Sequence, residues 1–439
     1  MKQTKIVTFV LITIFLAFLS CFYIYNNGLN GPPIRSDGFG YYSYLSSIFI
    51  DGDLSFETAM ANVQEGVSPK ASYGMGRHPK TGKMFVKYLP GTALMESPFF
   101  LLAHIFTFFS AYTSDGYSTP YQMAIVFSAI FYLSLGIFFL FHLLIRKNSY
   151  FVTLLTLLLV VYATNVFHYA TYDSSFSHIF SFALFSIYLF LLDKYRSQDG
   201  FRKRFFFAAL IGISFGLITI IRAPNAIVLL LWIGLITERI FNYSFENNLI
   251  YEILIFLLFA FVVLIPLFAY WQETTGRLFI NSYSVFPLSN GAFEGFNWSK
   301  PEIFNFLFSI ERGLFFWTPI SLLAFAGLIL LFSKDRVFGI AICFILLIHI
   351  YICSSWWCWY FGGSFGSRPF VEMMPVLSLP LALSIGKIRK LLGKAWTLIL
   401  CFIPIILNLT LMYSYWRGYI PFSGTTWATL QKLPSIILF

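Results

Sequence analysis

The chain has 439 residues, of which 58% are hydrophobic and 11% charged, with 55 phenylalanines and a formal net charge of +10; its mean hydropathy is +0.76. A soluble domain carries about 25% charged residues, so this chain cannot clothe a water-facing surface, and a soluble enzyme and a disordered protein are both excluded. No basic stripe with interleaved aromatics reads as a nucleic-acid surface, and the positive balance instead fits Lys and Arg in cytoplasmic loops.

Apolar runs of about 17–25 residues, the length a helix needs to cross a bilayer, fall near 6–25, 121–145, 151–169, 176–192, 205–221, 224–238, 249–271, 312–332, 337–353, 370–386 and 395–415. Lipid leaves no partner for an open strand edge, so these runs are helices. The predicted fold is all-α, a polytopic membrane protein of about eleven spans. The first run follows Lys2 and Lys5, is longer than a signal-peptide core and has no A-x-A site after it, so it reads as an uncleaved anchor. The five cysteines are scattered, and most sit in apolar runs as small hydrophobes; only Cys353 and Cys358 are candidates to meet.

A further apolar run, 91–110, decides the topology. With the N-terminus inside, the loops 146–150, 193–204, 333–336 and 387–394, which hold thirteen Lys and Arg, all face the cytoplasm only if 91–110 does not cross. That run also holds Glu96, Pro98 and His104, which are costly against lipid. It is therefore expected as a surface-lying or re-entrant helix inside one long extracytoplasmic loop, 26–120. The C-terminus then lies outside, residues 1–439 form a single transmembrane domain, and no separate soluble domain is expected.

Polar residues that orientation does not explain collect on the outer face. Asp37, in Arg35-Ser36-Asp37-Gly38-Phe39-Gly40-Tyr41, is a carboxylate at a cavity mouth that can serve as a general base or bind a metal, and Tyr41 offers a face to a sugar ring. Lys87 precedes Tyr88-Leu89-Pro90-Gly91 and could hold a phosphate at a helix start or snorkel to the interface. Asp173 could converge with Asp37 or simply cap the helix that follows. His178 lies one turn into the next span, where ionisable groups are usually functional. Arg222, in a tight Arg-Ala-Pro break, suits a phosphate or carboxylate in a partly dry site. The stretch from Trp356 to Glu372 combines Trp357 and Trp359 with Gly362, Gly363, Gly366 and Arg368, a mixture that suits a sugar ring and an anion better than an aromatic belt alone.

In this order, these residues resemble the GT-C superfamily of membrane glycosyltransferases, and within it the protein O-mannosyltransferases and the aminoarabinose lipid A transferases. The resemblance covers most of the chain: anchor, long first outer loop, lysine-and-proline entry to an outer-loop helix, acid in the second outer loop, basic residue at a later break. It implies that Asp37 is the first-loop acid acting as general base or metal ligand, and that Asp173 is the acid of the second outer loop. It implies that Lys87 and Arg222 meet a donor phosphate, with Arg368 as a further cation. Two residues separate Lys87 from a single Pro90, and Gly38 stands where a second acid would follow Asp37.

The function implied is inverting transfer of a sugar from a polyprenyl-phosphate donor to a lipid, glycan or protein acceptor on the extracytoplasmic face of the plasma membrane. Asp37, Asp173 and His178 are the residues available to a divalent metal. No G-x-G-x-x-G after a strand and no Walker A is present, which fits a lipid-linked donor. The alternatives are a transporter or flippase of lipid-linked sugars and a polysaccharide polymerase or ligase; the first predicts repeats and broken helices at midplane.

Overall fold

The computed structural model describes residues 2–64, 74–243, 247–286 and 293–433. Its helices are α1 (Lys2–Asn26), α2 (Ser36–Ser46), α3 (Glu57–Gln64), α4 (Gly91–Phe108), α5 (Thr119–Leu144), α6 (Tyr150–Tyr162), α7 (Val166–Thr171), α8 (Ser177–Arg196), α9 (Phe201–Ile221), α10 (Leu229–Tyr243), α11 (Asn247–Thr275), α12 (Ile303–Phe308), α13 (Leu314–Trp317), α14 (Ile320–Lys334), α15 (Arg336–Ser355), α16 (Met374–Trp416) and α17 (Trp427–Gln431). One short hairpin, β1 (Met75–Arg77) against β2 (Met84–Val86), is antiparallel with Met75 opposite Val86. Among the described residues nine helices are long and apolar enough to cross a membrane, and α6 and α14 are shorter apolar helices. The protein is an all-α integral membrane protein.

Within the bundle the helical hydroxyls turn back on their own backbone, as they must where no water can serve them. Thr156 donates to Val152 O (2.7 Å), Ser186 to Phe182 O (2.8 Å) and Ser214 to Leu210 O (2.8 Å). α8 runs through the centre between α5, α9 and α16 and is buried almost throughout. α11 turns Leu254, Leu257, Leu258 and Phe261 outward, an apolar face suited to lipid.

Several of the expected spans differ in detail. The run 151–169 is not one helix but α6 and α7, broken at residues 163–165. At about 1.5 Å per residue, the 13 residues of α6 cover only ~20 Å. The break is held by two asparagines. Asn408 Nδ2 donates to Tyr162 O (3.0 Å) and Thr164 O (2.7 Å), supplying carbonyls that the helix end leaves bare. Asn165 Nδ2 donates to Phe365 O (3.2 Å) and Ser367 O (3.1 Å), tying the break to a distant loop. The run 312–332 is helical as one unit only from Ile320, and the run 370–386 only from Met374. Conversely, the runs 370–386 and 395–415 are joined as α16 across a kink at Gly393, whose φ of 78° and ψ of 176° only glycine adopts readily.

The four basic loops gather at one end of the bundle. Lys147 and Arg196 both reach Asp335 (3.4 and 2.5 Å), Arg196 also reaches Glu238 (2.5 Å), and Arg389 donates to Ser149 Oγ (2.7 Å). Glu252, fully buried, is held there by Arg204 (3.2 Å), Arg239 (2.5 Å) and the Tyr195 hydroxyl (2.5 Å).

Both ends of α4 lie at the opposite end. Leu89, just before it, packs with Ile220 at the end of α9 and with Leu267. Near its far end, His104 Nδ1 and Thr107 Oγ1 contact Tyr121 Oη, in the first turn of α5, at 2.6 and 3.2 Å. Glu96 faces inward and is fully buried.

Candidate functional site

At the end of the bundle away from the basic loops lies a cavity of about 540 Å3. Five separate segments carry its charges. Asp37 stands in the first turn of α2, directly after Ser36, whose φ of 49° is a left-handed conformation costing a non-glycine residue about 1–2 kcal/mol. Lys87 leaves the hairpin, and its position is set by Tyr44 Oη donating to Tyr88 O (2.7 Å) and Tyr270 Oη accepting from Val86 N (2.7 Å). Arg222 is an extended residue between α9 and the 3-10 turn Ala223–Val228, where Pro224 cannot continue the helix. Arg368 and Glu372 come from the loop before α16, which Asn165 anchors.

A fifth segment, 293–298, closes over the others. Phe296 bridges Trp356, Trp357 N donates to Gly295 O (3.0 Å) and Asn297 N to Ser355 O (2.6 Å). This zipper places Glu294 against Lys87.

The result is three cation–carboxylate pairs around one space. Arg368 Nη1 lies 3.0 Å from Asp37 Oδ2, and Tyr88 Oη donates to Asp37 Oδ1 (2.8 Å). Lys87 Nζ donates to both Glu294 oxygens (3.0 and 2.9 Å) and sits 5.2 and 5.3 Å from the Tyr88 and Tyr283 ring centres. Arg222 Nε stands 3.4 Å from Glu372 Oε1, while His178 Nδ1 donates to Glu372 Oε2 (2.9 Å) and Arg222 Nη1 approaches His178 Nε2 (3.2 Å). Each pair holds a cation in a desolvated wall that would otherwise expel it.

Burial by itself would raise the Asp37 pKa, but the Arg368 and Lys87 charges and the Tyr88 hydroxyl outweigh it and hold the carboxyl below its ordinary value of 3.8. Burial and the neighbouring Asp37 charge push the Tyr88 hydroxyl well up, so it keeps the proton it donates. Asp37 is therefore a carboxylate at neutral pH.

Of the residues singled out in the sequence, the cavity brings together Asp37, Tyr41, Lys87, Arg222, Trp357 and Arg368. Asp173 is not among its lining residues. Its carboxylate pairs with Arg35 and accepts from His168 Nε2 (2.9 Å). His168 Nδ1 in turn accepts from the Trp416 indole (2.9 Å), which fixes the proton on Nε2. Burial opposes this charge, yet Arg35 and His168 pull the Asp173 pKa down to about 2. Nor does Asp173 cap α8, whose N-cap is Phe176 without a side-chain bond. Trp359 packs against the core and Tyr360 (5.5 Å) and does not line the cavity. His178 acts behind Glu372.

Among the described residues no three of His, Cys, Asp and Glu gather as a metal-ligand set. The three residues suggested for a metal belong to three separate hydrogen-bonded groups, so they do not fit one ion. Cys353 and Cys358 both line the cavity and are free thiols.

The sequence alone gives no role to Tyr88, Tyr283, Glu294 and Glu372. Glu372 had a signal, an acid in the apolar run Pro-Phe-Val-Glu-Met-Met-Pro. Glu294 had none, since a loop acid is ordinary.

Gly38 shows why Asp37 is followed by glycine. A Cβ there would fall 1.9 Å from Ser175 Oγ and 2.5 Å from Ser175 Cβ. Gly38→Ala is expected to destabilise the fold by about 1–3 kcal/mol through overpacking and to displace Asp37; a thermal-unfolding midpoint unchanged from the parent would contradict this.

No family model matches the sequence, and no curated protein matches it. Solved structures do match the fold. ArnT from Cupriavidus metallidurans bound to undecaprenyl phosphate superposes with a TM-score of 0.52 at 13% identity, over 94% of this chain and 68% of that one. The apo ArnT of the same organism gives 0.52 at 12%, over 98% and 74%. The apo oligosaccharyltransferase of Archaeoglobus fulgidus gives 0.53 at 12%, over 97% and 56%, so the chain spans little more than half of that enzyme's length. The chain has the fold of the GT-C membrane glycosyltransferases, shared with ArnT and the archaeal oligosaccharyltransferase.

Proposed function

We propose that the protein is a glycosyltransferase that moves a sugar from a polyprenyl-phosphate donor to an acceptor hydroxyl at this cavity. The observation that carries the reading is the convergence of Lys87, Arg222 and Arg368 with a carboxylate, Asp37, on one cavity among apolar helices. An ArnT structure with this fold holds undecaprenyl phosphate, and the same class of ligand suits these cations. The lipid tail would lie along the apolar helices and the phosphate among the cations.

In the reaction, the acceptor oxygen bonds to the anomeric carbon as the bond from that carbon to the phosphate oxygen breaks. Asp37 takes the acceptor's hydroxyl proton, and the electron pair leaves with polyprenyl phosphate. Lys87, Arg222 and Arg368 stabilise the charge that develops on the leaving phosphate, where fixed charges act most strongly. A phosphate that draws Arg368 away from Asp37 also makes the carboxylate a stronger base, since that guanidinium is a main cause of its low pKa. Attack opposite the leaving group inverts the anomeric centre.

The positive-inside rule places the basic end in the cytoplasm and the cavity on the extracytoplasmic face. Asp115 lies between α4 and α5, at the cavity end. With Cys353 and Cys358 replaced by serine, an Asp115→Cys variant should react with an impermeant maleimide from outside intact cells where the same background without it does not; labelling only after the inner side is opened would reverse the orientation. The chemistry is tested by assaying purified protein against polyprenyl-phosphate sugars, with Asp37→Asn as the comparison.

A further inference from the structure

Among the described residues Arg312 is the one Lys or Arg that is buried outright, at 1% exposed, and the transfer chemistry above makes no use of it. Its φ of 88° lies in the left-handed region, which a non-glycine residue keeps only where its surroundings over-determine it. The guanidinium sits 5.0 Å from the Trp317 ring centre and 5.5 Å from that of Tyr415. A hydrophobic side chain between two such rings would be buried at less cost. What the guanidinium adds is direction. It donates to Pro421 O (2.7 Å), Phe422 O (2.8 Å) and Thr425 Oγ1 (3.0 Å), and the adjacent Glu311 accepts from Gly424 N (2.7 Å) and Thr425 N (2.5 Å). Phe422, Ser423 and Gly424 are exposed, so this segment has little core of its own and is held by its bonds to Glu311 and Arg312.

The segment so held lies on the loop that carries Arg368. A Cβ on Gly363 would fall 3.3 Å from Phe422 Cδ1, so Phe422 rests on that glycine. Phe422 also packs on Tyr415, with ring centres 5.5 Å apart. Tyr415 and Trp317, the two rings beside Arg312, both pack on the fully buried Phe365, at 5.7 and 5.6 Å. Phe365 stands three residues before Arg368, whose Nη1 is 3.0 Å from Asp37 Oδ2. Arg312 therefore reaches the loop by two routes, through the strap to Gly363 and through its flanking rings to Phe365.

We propose that Arg312 is a positioning residue for the cavity: with Glu311 it straps residues 421–425 onto the loop 358–368 and so sets where Arg368 stands against Asp37. What that placement does for sugar transfer rests on the reading given above; the placement itself does not.

The test uses the full-length protein in nanodiscs with Cys358, a cavity-lining thiol of this loop, as its sole cysteine. Phe422 is 55% exposed, so Phe422→Ala removes the contact with Gly363 while leaving the core filled. Phe422→Ala and Arg312→Met should each speed reaction of Cys358 with N-ethylmaleimide by about fivefold or more, because a loop freed of its tie opens more often. Infrared titration of the Asp37 carboxyl, identified by its loss in Asp37→Asn, gives the second reading. Burial raises the Asp37 pKa, and Arg368, Lys87, Tyr88 and His178 lower it, Arg368 most. A displaced Arg368 should therefore let the carboxyl titrate higher in both variants, closer to 3.8. Should Arg312→Met fail to fold, Phe422→Ala carries the comparison. Labelling that stays at the parent's rate overturns the inference, because Asn165 alone would then hold the loop. So does faster labelling with an unmoved Asp37 titration, since the strap would then cover the loop without placing Arg368. A parent that transfers no sugar would instead overturn the reading of the cavity, while labelling and titration still decide this one.

Discussion

Asp37→Asn is expected to lower the rate of sugar transfer by about 10²–10⁴-fold, the usual worth of a positioned general base, while the protein folds and still binds undecaprenyl phosphate. Asparagine keeps the shape and can still meet Tyr88 and Arg368, but it cannot take the acceptor's proton. The variant also frees Arg368 from its carboxylate, so lipid-phosphate affinity should hold or rise. The pH profile gives a second reading. Arg368, Lys87 and Tyr88 depress the Asp37 pKa below 3.8 despite its burial. The proton-accepting form, and the ion-pair stability it confers, are therefore fully present above that value and lost only as pH falls through the lower folded one. The acid limb of kcat/KM should lie below pH 3.8 in the parent, and no limb from this residue should appear near neutrality. Full activity in Asp37→Asn would remove the residue from the mechanism.

Lys87→Met should weaken undecaprenyl phosphate binding by about 10- to 150-fold, the loss of one charge-assisted hydrogen bond worth about 1.5–3 kcal/mol. Glu294→Gln should move affinity the other way. Glu294 holds Lys87 through two bonds at 3.0 and 2.9 Å, so an incoming phosphate competes with it for the same ammonium. Removing that competitor leaves a half-buried cation without its carboxylate, and a tightening of several-fold is expected. In the double variant the gain should vanish, since there is no ammonium left to release. Binding measured by calorimetry that is unchanged in Lys87→Met, or weakened in Glu294→Gln, would place the phosphate elsewhere.

How much of this was legible beforehand differs residue by residue. Asp37, Lys87, Arg222 and Arg368 stood out because charge is scarce in this chain and costly near lipid, so each unexplained charge asked for a partner. Their partners did not stand out. Glu294 lies 207 positions from Lys87, and nothing local distinguishes it from any other loop acid. Asp173 read as readily for the site as for a cap, and the fold gave it neither position: Arg35 and His168 claim it in a separate buried group. Trp359 illustrates the same limit, since two tryptophans two positions apart point to different surroundings once the loop turns.

Hydropathy and charge asymmetry alone settle that this chain is a bundle of membrane helices and which loops share its basic end, because a bilayer tolerates so few backbone solutions and so few charges. The break at 163–165 belongs to the tertiary structure, which brings Asn408 to the open carbonyls of α6 and lets Asn165 hold the Arg368 loop. The pairing of each cavity cation with its own carboxylate belongs there too. Such contacts join residues far apart in the chain, and their geometry comes from how helices pack rather than from any local pattern of residues.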